Sequence, residues 1–357
     1  MRVGFHAPFL DALGGGEKVI LTLLQESVRR GHTVTLLSPG PDPPDPTAWR
    51  RLLVDVAPGS FGWAAADDAA VTERSASLDL LVALTNDVAP VSRAASSVAI
   101  VQFPTRVRTG IRRLFSPRAP RHLASYDRFL VNTAWVADQV AARLGVVASV
   151  LSPPVDGPDD DALAAKEPII LSVGRFFRTG HNKRHDVLID AFDALPPPEP
   201  WALHLVGGVA PADREHVAAL RARAAGQRIV FHTDAPAKVL ADLQDRAALL
   251  WHAAGFGVDE RRHPDRLEHF GIAVAEGMAH GAVPLAYDAG GPAEIVKDGV
   301  DGCLWRTSEE LIGSAAALIA DPAERERLAA AARLSARRFA RPEFLARAGV
   351  LVFGDAA

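Results

Sequence analysis

"SVGRFFRTGHNKRHDVLIDAF" (residues 172–192) is the stretch that decides the fold. It opens on the end of an apolar, β-branched run, "IILSVG" (169–174), and closes on Val187, Leu188, Ile189 and Phe192, an apolar set at helical spacing. A strand that turns directly into a helix is half of a βαβ crossover, the unit from which parallel sheets are built. Between the two halves stand Arg175, Arg178, Lys183 and Arg184. Cations placed after the carboxyl end of a parallel strand, beside the free N–H groups of a helix start, suit an anion such as a diphosphate. Hydrogen bonds to charged groups contribute roughly 1.5–3 kcal/mol each, so two cations and a few amides suffice to hold it. Taken alone, the stretch reads equally well as a solvated loop.

The same alternation runs in both directions from this unit. Upstream, "RVGFHAP" (2–8) is a strand and "DALGGG" (11–16) a turn; Val19, Ile20, Leu23, Leu24 and Val28 then mark a helix that Gly31 ends, and "HTVTLLSP" (32–39) is the next strand. Downstream, "ALHLVGG" (202–208), "IVFHT" (229–233), "ALLWHA" (248–253) and "AVPLAY" (282–287) are strands, each followed by a helical segment. The pattern restarts after "SPPVDGPDDDALAAKEP" (152–168), a proline- and acid-rich stretch without a periodic apolar face that reads as a linker. The fold class is therefore α/β, with two doubly wound domains at 1–155 and 166–335 and a cleft between them. A helical segment at 336–357, broken at Pro342, is expected to pack back on the first domain.

Composition sets the outer limits. The chain has 357 residues, 48% of them hydrophobic, which suffices for two cores. With 39 basic against 43 acidic residues the net charge is -4, against a general nucleic-acid binder. Cys303 is the single cysteine, so neither an intramolecular disulfide nor a thiolate zinc cluster can form, and a cytoplasmic setting is expected. "MRVGFHAPF" reads straight into a strand, with no signal peptide, and no apolar run reaches membrane-spanning length.

A second constellation is "LEHFGIAVAEGMAHGAVPLAYDAGGPAEIV" (267–296), with Glu268 before a helix and Glu276 eight residues on, inside it. On one helix that spacing separates the carboxylates by about 12 Å along the axis. This is too far for an acid/base pair on one bond, and it suits two parts of an extended ligand. The amides of His269, Phe270 and Gly271 are read as a helix start fit for phosphate, with Gly271 and Gly277 allowing close approach. A third element, "DALGGGEK" (11–18), matches neither the dinucleotide fingerprint nor the P-loop spacing, so an ordinary tight turn explains it as well.

Together, "GGGEK" after the first strand, "SVGRFF…NKRHDVLIDAF", "EHFGIAVAEGMAHGAVPLA" and "GGPAEIV…DGCLW" resemble the retaining glycosyltransferases of family 4, which have the GT-B fold of two Rossmann-like domains facing across a cleft. "WHAAGFGVDERRHPDRLEHFG" (251–271) resembles the mannosyltransferase and polysaccharide-transferase branch. The likeness covers nearly all of the second domain and the first only in outline. It implies an acceptor domain at 1–155 and a nucleotide-sugar donor domain at 166–335. It implies a hexosyltransferase using GDP-mannose or a UDP-hexose, with retention and no cofactor or metal, acting on a glycan, lipid-linked or small-molecule acceptor. Arg175 and Lys183 would bind the donor diphosphate, Glu268 would meet hydroxyls of the transferred sugar, and Glu276 would meet the ribose. His269, Phe270, Gly271 and Ile272 would line the donor site, and Gly15 and Gly16 would approach the phosphates. The loop from Arg175 to Lys183 is longer than the common family form, which leaves Arg178 or Arg184 able to share the cationic role. In "VQFPTR" (101–106), Gln102 holds a place where the family often has histidine, with His6 a weak substitute on the acceptor side.

Rival readings are a sugar-nucleotide 2-epimerase of the same fold and a non-catalytic nucleotide-sugar-binding subunit. A dehydrogenase is weaker, since no G-x-G-x-x-G follows a strand. Twelve histidines, His263 and His269 among them, include no HExxH pair, so no metal is expected. Residues 106–128 carry seven arginines with Ile111, Leu114 and Phe115, which suits peripheral contact with an anionic membrane or acceptor, or simply a solvated segment. Trp251, His252 and the "FHTDAP" loop (231–236) are expected at or beside strand ends on the cleft side; the loop is read as a cover for the base, and Trp251 as core.

Overall fold

The computed structural model describes residues 1–8, 10, 14–86, 89–104, 122–158, 165–179, 182–195 and 198–356. It separates into two compact units, Met1–Pro154 with Arg341–Ala357, and Val155–Ala340.

In the first unit, the described strands are β1 (Arg2–His6), β2 (Thr33–Ser38), β3 (Gly62–Ala65), β4 (Leu80–Thr85), β5 (Ser96–Val101), β6 (Arg128–Val131) and β7 (Ser149–Val150). They form one parallel sheet in the order β3-β2-β1-β4-β5-β6-β7. Central β4, "LLVALT", is buried at every position, as a parallel strand covered on both faces must be. The helix Gly15–Arg29 turns Val19, Ile20, Leu23 and Leu24 into the core. Its start is tied by Glu17, whose Oε2 accepts from the Gly14 N–H at 2.8 Å, and Gly31 at φ 75° ends it.

In the second unit, β8 (Glu167–Val173), β9 (Ala202–Gly207), β10 (Ile229–Thr233), β11 (Ala247–His252), β12 (Val283–Tyr287) and β13 (Cys303–Trp305) form a parallel sheet in the order β10-β9-β8-β11-β12-β13. Strand order reverses between β1 and β4 in the first sheet and between β8 and β11 in the second. Open α/β sheets bind ligands at the carboxyl ends of strands at such a reversal.

Two boundaries differ from the sequence reading. Val155, inside the expected linker, is buried and bridges Ala340, donating its N–H to the Phe339 carbonyl at 2.8 Å. The C-terminal helical run breaks at Ala340, two residues before Pro342, which sits in the first turn of Arg341–Ala348, where its missing N–H costs nothing. Phe344, Ala348 and Val352 then enter the core of the first unit, and Arg347 donates to the Val150 carbonyl at 2.8 Å.

Candidate active site

Arg175 lies two residues past β8, and His252 is the last residue of β11, so the reversal point of the second sheet brings these two segments side by side. Glycine makes the crossing of backbones possible: a Cβ on Gly207 would stand 2.0 Å from the Gly174 carbonyl oxygen. A Cβ on Gly174 would stand 2.5 Å from Lys183 Cγ, so the lysine stem lies across this glycine. Phe176 is fully buried and stacks on His185 at 4.4 Å, anchoring the loop from below. Burial, and then the Lys183 charge, push the His185 ring down to about 3, so it adds no positive charge near neutral pH.

The four cations have different fates. Lys183 Nζ donates to Glu268 Oε2, with the two side chains 23% and 18% exposed. Arg175 is exposed, with its guanidinium 4.6 Å from the centroid of the Phe177 ring. Arg178 is exposed, and its backbone N–H donates to Asp213 Oδ1 at 3.1 Å. Arg184 is committed to the fold: Nε and a terminal nitrogen donate to the two carboxylate oxygens of Asp186 at 3.1 and 3.0 Å, and the other terminal nitrogen donates to the Phe256 carbonyl. These bonds take three of the five N–H donors of Arg184.

Glu268 is the centre of the cluster. His252 Nε2 lies 3.4 Å from Glu268 Oε2, the oxygen that also takes Lys183. Burial pushes the Glu268 carboxyl upward, but the Lys183 charge and the His252 hydrogen bond outweigh it and hold the group well below its usual range. The backbone beneath is braced by the glycine pair of "GGPAEI": Gly291 N–H donates to the Glu268 carbonyl at 2.8 Å, and a Cβ on Gly291 would stand 2.4 Å from Phe270 Cα and its carbonyl oxygen.

Glu268 stands before the helix that carries Glu276, as the sequence reading has it, so the separation of about 12 Å along one helix axis does not apply. The helix is Ile272–Ala279, preceded by Gly271 at φ 97°, so Glu268, His269 and Phe270 belong to a loop. Phe270 is buried in the core, and the Ile272 and Ala273 amides open the helix. Glu276 lies within it, its Oε2 accepting from Gln244 Nε2 at 3.4 Å. Gly277 serves helix-on-sheet packing instead of ligand approach, since a Cβ there would stand 2.5 Å from Leu250 Cδ1.

In the first unit, Gly15 faces open space, with nothing within 4 Å of an added Cβ. Gly16 does not: a Cβ there would stand 1.9 Å from Gln102 Nε2, so Gln102 rests against the start of the helix. His6 is buried at the end of β1, its Nε2 4.0 Å from Asp68 Oδ1. Burial lowers its proton affinity more than the Asp68 charge raises it. His6, Pro8, Pro39, Asp67 and Asp68 are among the residues lining a cavity of about 390 Å³ at the carboxyl ends of β1 to β3.

Most of the arginine-rich segment, 105–121, lies outside the described residues. Trp251 is fully buried and is core, as expected. Among the described residues no group of three or more metal-ligating side chains comes together, and no helix is long and apolar enough to cross a membrane. Sequence reading missed His252 as a partner of Glu268, and Gln244 as a partner of Glu276. The position of His252 at a strand end was legible, but its meeting with Glu268 was not, because that depends on strand order; the contact of Gln244 joins two helices distant in sequence.

Two doubly wound parallel sheets, with a lysine–glutamate–histidine cluster at the reversal point of the second, define a GT-B-type protein. The family model described as Glycosyl transferases group 1 matches residues 158–335, and that described as Glycosyltransferase Family 4 matches residues 13–157. The chain belongs to glycosyltransferase family 4. It is 32% identical over 208 residues to a D-inositol 3-phosphate glycosyltransferase of Xylanimonas cellulosilytica, covering 55% of this chain and 46% of that protein, so it spans about half the length of this relative. It is 26% identical over 336 residues to the lipopolysaccharide core biosynthesis mannosyltransferase LpcC of Rhizobium leguminosarum bv. viciae, covering 88% of this chain and 85% of that one. Among solved structures, Anabaena HepE in complex with UDP and glucose matches with a TM-score of 0.71 at 16% identity, covering 97% of this chain and 98% of that one, a likeness of fold.

Proposed function

We propose that this chain is a retaining glycosyltransferase that moves a hexose, mannose in the first instance, from a nucleoside-diphosphate sugar to an acceptor hydroxyl. The observation that carries the reading is Glu268 held by Lys183 and His252 at the sheet position where ligands bind, in a chain of family 4. An ammonium has three N–H donors, so Lys183 can keep Glu268 and still reach a phosphate. Arg175 and Lys183 offset the charge that grows on the leaving diphosphate as the glycosidic bond breaks. Glu268 accepts from a hydroxyl of the transferred sugar, and Glu276 from the ribose.

The bond from the anomeric carbon to the phosphate oxygen breaks, and the bond to the acceptor oxygen forms on the same face. The acceptor proton passes to the leaving phosphate, so no protein nucleophile is assigned. The rhizobial relative, named as a mannosyltransferase, supports mannose as the transferred sugar, with GDP-mannose the first choice of donor. The Anabaena structure, with UDP and glucose, supports a UDP-hexose as the second choice. The acceptor class is a glycan, a lipid-linked sugar or a small molecule.

The test is thermal stability of the wild type and Glu276→Ala with GDP, UDP, GDP-mannose, UDP-glucose and UDP-N-acetylglucosamine. A ligand present at about 100 times its Kd and bound only to the native state adds about 2.7 kcal/mol. Stabilisation by one nucleotide series, lost in the variant, supports the reading and names the base; no stabilisation by any of them overturns it. Conversion of a lone UDP-sugar without acceptor would instead indicate the epimerase.

A further inference from the structure

His252 has no part in the mechanism above beyond its contact with Glu268, yet it is 5% exposed and ends the central strand β11 at the reversal point. Its Nε2 faces Glu268 Oε2 at 3.4 Å, while its Nδ1 is buried with no hydrogen-bond partner among the described residues. The Nε2–H tautomer meets both conditions: it gives Glu268 a donor and leaves Nδ1 without a hydrogen to satisfy. Lys183 reaches the same oxygen. Both side-chain contacts of Glu268 among the described residues therefore fall on Oε2, and Oε1 takes none.

A glutamate side chain turns about several bonds, and a single flexible lysine would leave the carboxylate free to rotate and exchange its oxygens. A second donor from a buried ring on a strand removes that freedom. We propose that His252 is a positioning residue for glycosyl transfer: by clamping Glu268 Oε2 together with Lys183, it presents Oε1 as the acceptor for a hydroxyl of the transferred sugar. The proposal rests on the glycosyltransferase reading for its substrate, while the clamp itself is a property of the ligand-free chain.

The experiment compares His252→Leu, which removes the donor, with His252→Gln, whose amide N–H lies near the place of Nε2. Three readouts are taken: kcat/KM for the nucleotide sugar, affinity for the sugar-free nucleoside diphosphate, and titration of the Glu268 carboxyl carbon by NMR, assigned through Glu268→Gln. His252→Leu is expected to lose roughly 10- to 100-fold in kcat/KM, the range that a hydrogen bond to a charged group converts to. Its diphosphate affinity is expected to stay within about twofold, because the phosphate ligands are untouched, and the Glu268 titration to move upward. His252→Gln is expected to recover most of both losses.

Equal losses of diphosphate affinity and turnover in His252→Leu would mean a merely structural role and overturn the proposal, as would wild-type turnover or a glutamine variant no better than leucine. Should His252→Leu not fold, His252→Asn, whose amide is too short to reach Glu268, takes its place with the same reading. A wild type that transfers no sugar defeats the glycosyltransferase reading, and the NMR titration alone then decides the clamp: an unmoved Glu268 in the variant overturns it.

Discussion

Arg184 holds Asp186 through two parallel hydrogen bonds at 3.1 and 3.0 Å, two residues apart at the start of the helix His185–Ala194. A further donor of Arg184 goes to the Phe256 carbonyl, so this cation ties the loop after β8 to the loop after β11. Arg184→Ala is expected to lower stability by about 1–2 kcal/mol, allowing for partial exposure of the pair. Its nucleotide affinity is expected to stay near that of the wild type. Arg178→Ala, at an exposed side chain, is expected within about 0.5 kcal/mol of the wild type. Denaturant melts with nucleotide titration check both; a large loss of nucleotide affinity with intact stability in Arg184→Ala would return it to the anion site.

Lys183→Ala is expected to lower turnover by roughly 100- to 1,000-fold, the range seen when a transition-state donor is removed. Two effects add here. On the proposed reading a bound diphosphate loses a cation, and Glu268 loses the charge that favours its ionised form. A steady-state rate at saturating donor decides it, and an unchanged rate removes Lys183 from the site.

Stability should depend on pH through Glu268 in one direction. Its carboxyl is held well below its ordinary value of 4.5, so the folded state favours the ionised form. That stabilisation is fully present above the ordinary value and is lost as pH falls through the depressed one. The difference in Tm between the wild type and Glu268→Gln is therefore expected to be level at neutral pH and to close in acid. A gap that widens on acidification would show that burial, and not Lys183, controls the group.

The candidate glycines of the two units divide by what surrounds each of them. Gly291→Ala sets a Cβ 2.4 Å from the Phe270 backbone, which cannot yield as a side-chain tip can, so a loss of about 1–3 kcal/mol is expected, with displacement of the Glu268 loop. Gly15→Ala meets nothing within 4 Å, and alanine in a helix is favoured over glycine by roughly 0.5–1 kcal/mol. It is expected to be neutral or stabilising, while weakening any phosphate that needs the bare backbone. Thermal melts of the two variants with and without nucleotide separate these effects.

What the sequence determined by itself was periodic and local. Apolar β-branched runs such as "IILSVG" followed by helical spacing at Val187–Phe192 specify strand and helix because side-chain burial repeats with the geometry of each. Their alternation specifies parallel sheets, and the stretch after β8 offers cations suited to an anion. Tertiary structure alone decided which residues meet. Lys183 and Glu268 are 85 positions apart, and His252 and Glu268 16. Their meeting depends on β8 and β11 being neighbours, a fact of strand order that no local pattern carries. The same holds for Arg184, whose partners Asp186 and the Phe256 carbonyl are supplied only by the fold, and for the left-handed turn at Gly271 that separates Glu268 from the helix carrying Glu276. A sequence fixes which groups a chain offers, but hydrogen bonds and ion pairs act over a few ångströms, so only the packed sheet determines which of those groups are partners.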